Sequence, residues 1–168
     1  MLTLVLGGAR SGKSRYAEGL VTALPGPWTY VATGQAFDDE MRARIAQHRA
    51  ERVPGWLTVD APVDLPGALA GAGSAPVLVD CLTLWVSNLL LAGADVAAAV
   101  AELRAALRAR AAATVLVSNE VGMGIVPDNA LARAFRDAAG RLHQQVAADA
   151  DRVVLVVAGL PLAVKGTA

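Results

Sequence analysis

Residues 7–14 read Gly-Gly-Ala-Arg-Ser-Gly-Lys-Ser, directly after the apolar run Leu2–Leu6 and directly before a segment of helical character. This octet fits G-x-x-x-x-G-K-[ST] and constrains the chain more than any other feature. Glycines let successive backbone N–H groups curve around an anion with no Cβ in the way. The helix that follows aims its positive end at the same point. Gly7, Gly8, Ala9, Arg10, Ser11, Gly12, Lys13 and Ser14 are thus expected to hold nucleotide phosphates. Lys13 is expected on the β and γ phosphates and the Ser14 hydroxyl on Mg²⁺. Lys13 is one of only two lysines in the chain, the other being Lys165, so its place in the motif is not a by-product of composition.

Such a loop needs a parallel α/β framework, and the hydropathy pattern supplies one. Apolar runs at Leu2–Leu6, Trp28–Ala32, Trp56–Val59, Val77–Asp80, Thr114–Ser118 and Arg152–Val157 read as strands. They are continuous rather than alternating, as expected of strands covered by helices on both faces. Helices are expected at Ser14–Leu24, Asp38–Glu51, Leu82–Leu91, Val96–Ala112 and Asp128–Asp149, with a short one inside 61–76. Asp38 and Asp128 are the expected caps of their helices. Strand and helix alternate, so the expected fold is α/β, a mostly parallel β-sheet flanked by helices. With 168 residues and no linker, repeat or composition break, residues 1–168 are expected to form one domain.

Composition narrows the classes. Hydrophobic residues are 55% and charged ones 18%, which excludes a disordered chain. Fifteen basic and 15 acidic residues cancel, so no nucleic-acid or anionic-membrane partner is expected. The apolar stretch Val153–Val164 is too short for a spanning helix, which needs about 20 residues, and no positive segment precedes the first apolar run. A cytoplasmic protein with no membrane insertion is expected. The single cysteine, Cys81, excludes an internal disulfide.

A phosphate-binding loop also calls for a carboxylate at a strand end to hold the metal. Asp80, after Val77-Leu78-Val79, has that position; the competing reading is a cap for the next helix. Kinase, ATPase and GTPase chemistry all remain open at this point. Two further segments are unusual. His48 lies in a charged helix beside Arg42, Arg44, Arg49 and Arg52. There it is a base, a hydrogen-bond donor, a nucleophile at phosphorus, or a solvated surface residue. The segment Ser118-Asn119-Glu120-Val121-Gly122-Met123-Gly124-Ile125-Val126-Pro127 forms a shaped loop at a strand end, where Asn119 and Glu120 are candidates to face substrate. His143, in the last helix, reads as a packing or surface residue.

Together the octet, the block Asp38-Asp39-Glu40-Met41…Arg44-Ile45…His48, and Asn119–Pro127 resemble one family along nearly the whole chain: the bifunctional adenosylcobinamide kinase/adenosylcobinamide-phosphate guanylyltransferases of cobalamin biosynthesis. The resemblance implies a RecA-like P-loop NTPase fold and two reactions. The first is phosphorylation of the aminopropanol hydroxyl of adenosylcobinamide by ATP or GTP. The second is transfer of GMP from GTP to that phosphate through a guanylylated histidine, whose position His48 occupies. It implies nucleotide contacts at Thr33, Gly34, Arg49, Ala50, Glu51, Arg52, Asp60 and Asp80, metal binding by Ser14 and Asp80, catalytic roles for His48 and Lys13, Mg²⁺ as cofactor, and a homotrimer. The competing readings are a monofunctional small-molecule P-loop kinase and a nucleotide-dependent switch ATPase.

Overall fold

A computed structural model describes residues 1–36, 39, 42–43, 46 and 52–167. Seven strands form one sheet in the order β3-β2-β4-β5-β1-β6-β7. They are β1 (Leu2–Gly7), β2 (Trp28–Ala32), β3 (Trp56–Asp60), β4 (Val77–Asp80), β5 (Thr114–Asn119), β6 (Arg152–Val157) and β7 (Leu160–Lys165). Every pairing from β3 to β6 is parallel, and only β7 runs antiparallel to its neighbour. The expected mostly parallel α/β sheet is therefore the fold. All six parallel strands end on one edge, and the phosphate loop leaves from the middle of that edge.

Five helices are described: α1 (Lys13–Thr22), α2 (Leu65–Gly71), α3 (Leu82–Leu91), α4 (Val96–Ala109) and α5 (Ala130–Asp149). The expected helix Asp38–Glu51 falls largely outside the described residues. Side chains alternate across each strand, so neighbouring residues feed separate cores. Leu4 and Leu116 pack with Trp85, Leu103 and Leu142 from α3, α4 and α5. Val5 and Val117 pack with Tyr30, Leu78 and, from α1, Ala17 and Val21. The helix starts follow side-chain chemistry: Asp64, Asp95 and Asn129 accept from the amides of Gly67, Ala98 and Ala132 at 2.8, 3.0 and 2.8 Å.

Several boundaries shift by one or two residues, and three larger differences have a physical cause. The last helix is capped by Asn129, not Asp128, and begins at Ala130. Both residues suit a cap, and only the tertiary path selects between them. Helix α4 stops at Ala109 because Arg110 turns extended. Its guanidinium then ties the carbonyls of Leu69, Gly73 and Ala75 to the Thr114 hydroxyl. Strand β7 was not expected at all. The apolar run Val153–Val164 folds back on itself at Ala158 and Gly159, whose φ values of 51° and 80° make a two-residue reversal. Alanine is an unusual residue there, which hid the turn. Pro161 is tolerated because β7 is the sheet's edge.

On the far side of α5, Asp149 binds Arg104 through both oxygens, at 2.6 and 3.0 Å, and also accepts from Arg108 at 3.1 Å. The hydrogen bond from Arg104 is the main reason its carboxyl titrates below the usual carboxylate range. A depressed folded pKa stabilises the fold above the ordinary carboxylate pKa, and that contribution is lost as pH falls through the folded value. Asp149→Asn is expected to cost about 1 kcal/mol at pH 7. The gap to wild type should close as the solution is acidified, as read from urea midpoints at several pH values.

Candidate nucleotide site

The phosphate loop follows from its strand. Gly7 ends β1 so close to β6 that a Cβ there would lie 2.8 Å from the carbonyl oxygen of Val156. Gly12 caps α1 with φ 92°, a left-handed backbone, and a Cβ on it would meet the Cα of Gly159 at 3.3 Å. No side chain caps this helix start, so its first-turn amides keep the anion-binding character expected of them. The Gly159 amide donates to the Ser11 carbonyl at 2.9 Å and braces the loop from the β6–β7 turn. Lys13 extends back over the loop, its Nζ donating to the Gly8 carbonyl at 3.1 Å. Ser14 stands in the first turn of α1, which packs across β5 and β4.

Asp80 ends β4, one strand removed from β1, with β5 between them. Its Oδ2 accepts the Tyr30 hydroxyl at 2.9 Å. It does not cap α3: that helix starts after Cys81 and has no side-chain cap. The Cys81 thiol is 4% exposed, and burial, aided by the Asp80 carboxylate, pushes its pKa up to about 11. It therefore stays protonated at neutral pH and is no nucleophile.

Thr33 and Gly34 follow β2 on the same edge. Every polar group of Thr33 is engaged internally. Its hydroxyl donates to the Cys81 carbonyl at 2.7 Å and accepts the Cys81 amide at 2.8 Å. Its own amide donates to the Asp80 carbonyl at 3.1 Å, and its carbonyl accepts from Asn88 at 2.8 Å. Thr33 is wholly buried and frames Asp80 from behind. Asp60 ends β3, beside β2, and lies with Arg52 on the rim of an open cavity of about 420 Å³, which Trp56 and Thr58 also line. Arg52 places its guanidinium carbon 3.2 Å from the centre of the Tyr30 ring and donates to Thr58 at 3.2 Å. His48, Arg49, Ala50 and Glu51 lie outside the described residues.

Residues 3–164 match the family described as cobinamide kinase / cobinamide phosphate guanyltransferase. The chain belongs to that family. It is 46% identical over 171 residues to the bifunctional adenosylcobalamin biosynthesis protein CobP of Pseudomonas aeruginosa, covering 99% of this chain and 98% of that one. It is 46% identical over 183 residues to the bifunctional adenosylcobalamin biosynthesis protein CobU of Salmonella typhimurium, covering 98% of this chain and 100% of that one. Among solved structures it resembles the P4 protein from bacteriophage phi6 in complex with ADP, with a TM-score of 0.48 at 18% identity over 95% of this chain. It spans 52% of that protein's length. It also resembles the flagellar accessory protein FlaH of Methanocaldococcus jannaschii, with a TM-score of 0.49 at 14% identity over 98% of this chain and 77% of that one.

In this member of the cobinamide kinase / cobinamide phosphate guanyltransferase family, two sequence candidates are turned inward. The Asn119 carboxamide donates to the Thr83 hydroxyl at 3.1 Å. The Glu120 carboxylate folds back onto the amide of Gly122 and stands 4.0 Å from Nδ1 of His143. His143 is a packing residue as expected, its Nε2 2.7 Å from the Ser118 hydroxyl. Burial lowers its pKa, opposed by Glu120. Tyr30 is the residue that sequence reasoning passed over. An apolar strand with one tyrosine carries no signal that the hydroxyl reaches an acid fifty positions away.

The Thr33 clamp gives a direct test. Thr33→Val keeps the shape but leaves the buried amide of Cys81 unpaired, while the Cys81 carbonyl keeps only the Trp85 amide at 3.2 Å. The expected loss is about 2 kcal/mol of unfolding free energy, measured by urea denaturation, with Thr33→Ser retaining most of the stability.

Proposed function

We propose that this chain, as one catalytic domain, phosphorylates the aminopropanol hydroxyl of adenosylcobinamide with ATP or GTP. It then transfers GMP from GTP to that phosphate, giving adenosylcobinamide-GDP and pyrophosphate. The observation that carries the reading is the phosphate loop, built in full between β1 and α1, in a chain of this family. The monofunctional kinase and the switch ATPase account for that loop but not for the family membership.

In the kinase step the loop amides and Lys13 hold the β and γ phosphates while the acceptor hydroxyl approaches from the sheet's C-terminal edge. The donor set suits Mg²⁺. Asp80 has a carboxylate held by one oxygen, Ser14 adds a hydroxyl, and no group of three His, Cys, Asp or Glu among the described residues forms a protein-only cage. Magnesium characteristically takes one or two protein oxygens and completes its shell with phosphates and water. Bound there, it would neutralise phosphate charge.

In the transferase step His48 attacks the α-phosphorus of GTP. A bond forms from the imidazole nitrogen to phosphorus as the bond to pyrophosphate breaks, and the acceptor phosphate then displaces the histidine. Arg49 and Arg52 offset the charge of the GTP phosphates, with Gly34, Ala50, Glu51 and Asp60 completing the nucleotide contacts. Thr33 contributes by holding the strand ends. The attack needs neutral imidazole, so transfer falls as acid protonates the histidine. A homotrimer in the cytoplasm is the working assembly, and the balanced charge suits small-molecule partners rather than nucleic acid. Among the described residues no helix is long and apolar enough to cross a membrane.

Two variants separate the steps. His48→Ala is expected to abolish guanylyl transfer and the acid-labile GMP adduct seen by intact mass after incubation with GTP and Mg²⁺, while retaining phosphorylation. Lys13→Ala is expected to lower both rates by about a hundredfold or more. Guanylyl transfer intact in His48→Ala overturns the covalent route.

A further inference from the structure

Tyr30 touches two parts of the site at once. It lies in β2, 3% exposed, with its ring edge-on to Trp56 at 5.8 Å between centroids. The hydroxyl donates to Oδ2 of Asp80 at 2.9 Å, and the ring face receives the Arg52 guanidinium at 3.2 Å. Among the described residues, Tyr30 is the one side chain that hydrogen-bonds the Asp80 carboxylate. We propose that Tyr30 is a positioning residue for the metal: it takes one oxygen of Asp80 and thereby aims the other at the divalent ion of the bound nucleotide. This rests on the reading of Asp80 as a metal-binding carboxylate given above.

The physical reasons are three. A strand-end aspartate has a short side chain free to turn about χ1 and χ2. Without a donor on one oxygen its two oxygens compete for the ion, and ordering the carboxylate on binding costs conformational entropy. A hydroxyl already seated on Oδ2 removes that freedom before the ion arrives. Partners that orient metal-binding groups in this way characteristically change metal affinity by 10- to 100-fold.

Next, the guanidinium on the ring face draws electron density from the phenol and strengthens its O–H as a donor. Finally, the ring is held in place: Trp56 flanks it edge-on, and Trp28 packs against Trp56 at 5.5 Å with the two rings tilted by 48°. The arrangement also ties the Arg52 cavity to the metal carboxylate through a single side chain.

The test is a metal titration that needs no corrinoid and no turnover. GDP affinity is measured by calorimetry at a series of Mg²⁺ concentrations, and with excess EDTA, for wild type, Tyr30→Phe and Asp80→Asn. Tyr30→Phe keeps the ring, its packing and the Arg52 contact and deletes only the hydroxyl. The expected result is a Mg²⁺ midpoint about tenfold higher in Tyr30→Phe, with unchanged GDP affinity in EDTA. In Asp80→Asn the Mg²⁺ dependence is expected to be lost or displaced further. A purely structural role for Tyr30 would lower the melting temperature without moving the midpoint. A wild-type midpoint in Tyr30→Phe, with the Asp80→Asn midpoint displaced, overturns the proposal and leaves the metal reading of Asp80 standing. Wild-type midpoints in both variants overturn that reading and the proposal with it.

Discussion

The Gly7 carbonyl accepts the amide of Glu120 at 3.0 Å, the last link of the ladder between β1 and β5. The site depends on that register. It sets where the phosphate loop leaves the sheet relative to the neighbouring strand end, and β5 in turn sets β4 through the pairing of Asp80 with Val117. A slip of one residue would turn Asp80 to the opposite face of the sheet. The slip is opposed from both sides. Val5 and Val117 belong to one core and Leu4 and Leu116 to the other, so any shift exchanges both sets at once.

Behind the sheet edge, buried polar groups do the fine placement. Thr33 closes two hydrogen bonds on Cys81, Asn88 ties Thr33 to Pro62, and Thr83 receives Asn119. Each bond is modest, but each of these groups would cost about 1–3 kcal/mol if left unpaired. The network therefore resists partial loosening. A strand-end carboxylate with a short side chain, such as Asp80, gains from such a frame, because its own reach leaves little room for error.

The fold was largely legible from residue order. Continuous apolar runs bounded by glycine, proline and acidic residues located six strands, and helical spacing located the helices around them. The failures have identifiable causes. β7 was hidden because its strand and β6 share one unbroken apolar run, and the turn between them uses alanine in a left-handed conformation. The end of α4 was misplaced because helix propensity favours Ala111 and Ala112, whereas four hydrogen bonds from Arg110 reward leaving the helix.

Of the site, the local parts were readable and the assembled parts were not. The octet from Gly7 to Ser14 carries its own geometry, because two positions demand glycine and one demands a long cation. The strand-end position of Asp80 was readable from the apolar run before it. The engagements of Thr33 with Cys81, of Asn119 with Thr83, and of Tyr30 with both Asp80 and Arg52 join residues far apart in the chain. No local pattern encodes them, since each depends on which strands become neighbours and on which face each side chain emerges. The sequence alone determined the phosphate-binding loop and the parallel α/β class, because both are written in short-range spacing. Only the tertiary structure decided which polar groups are spent on the frame and which remain to meet a ligand, because that is settled by long-range pairing across the sheet.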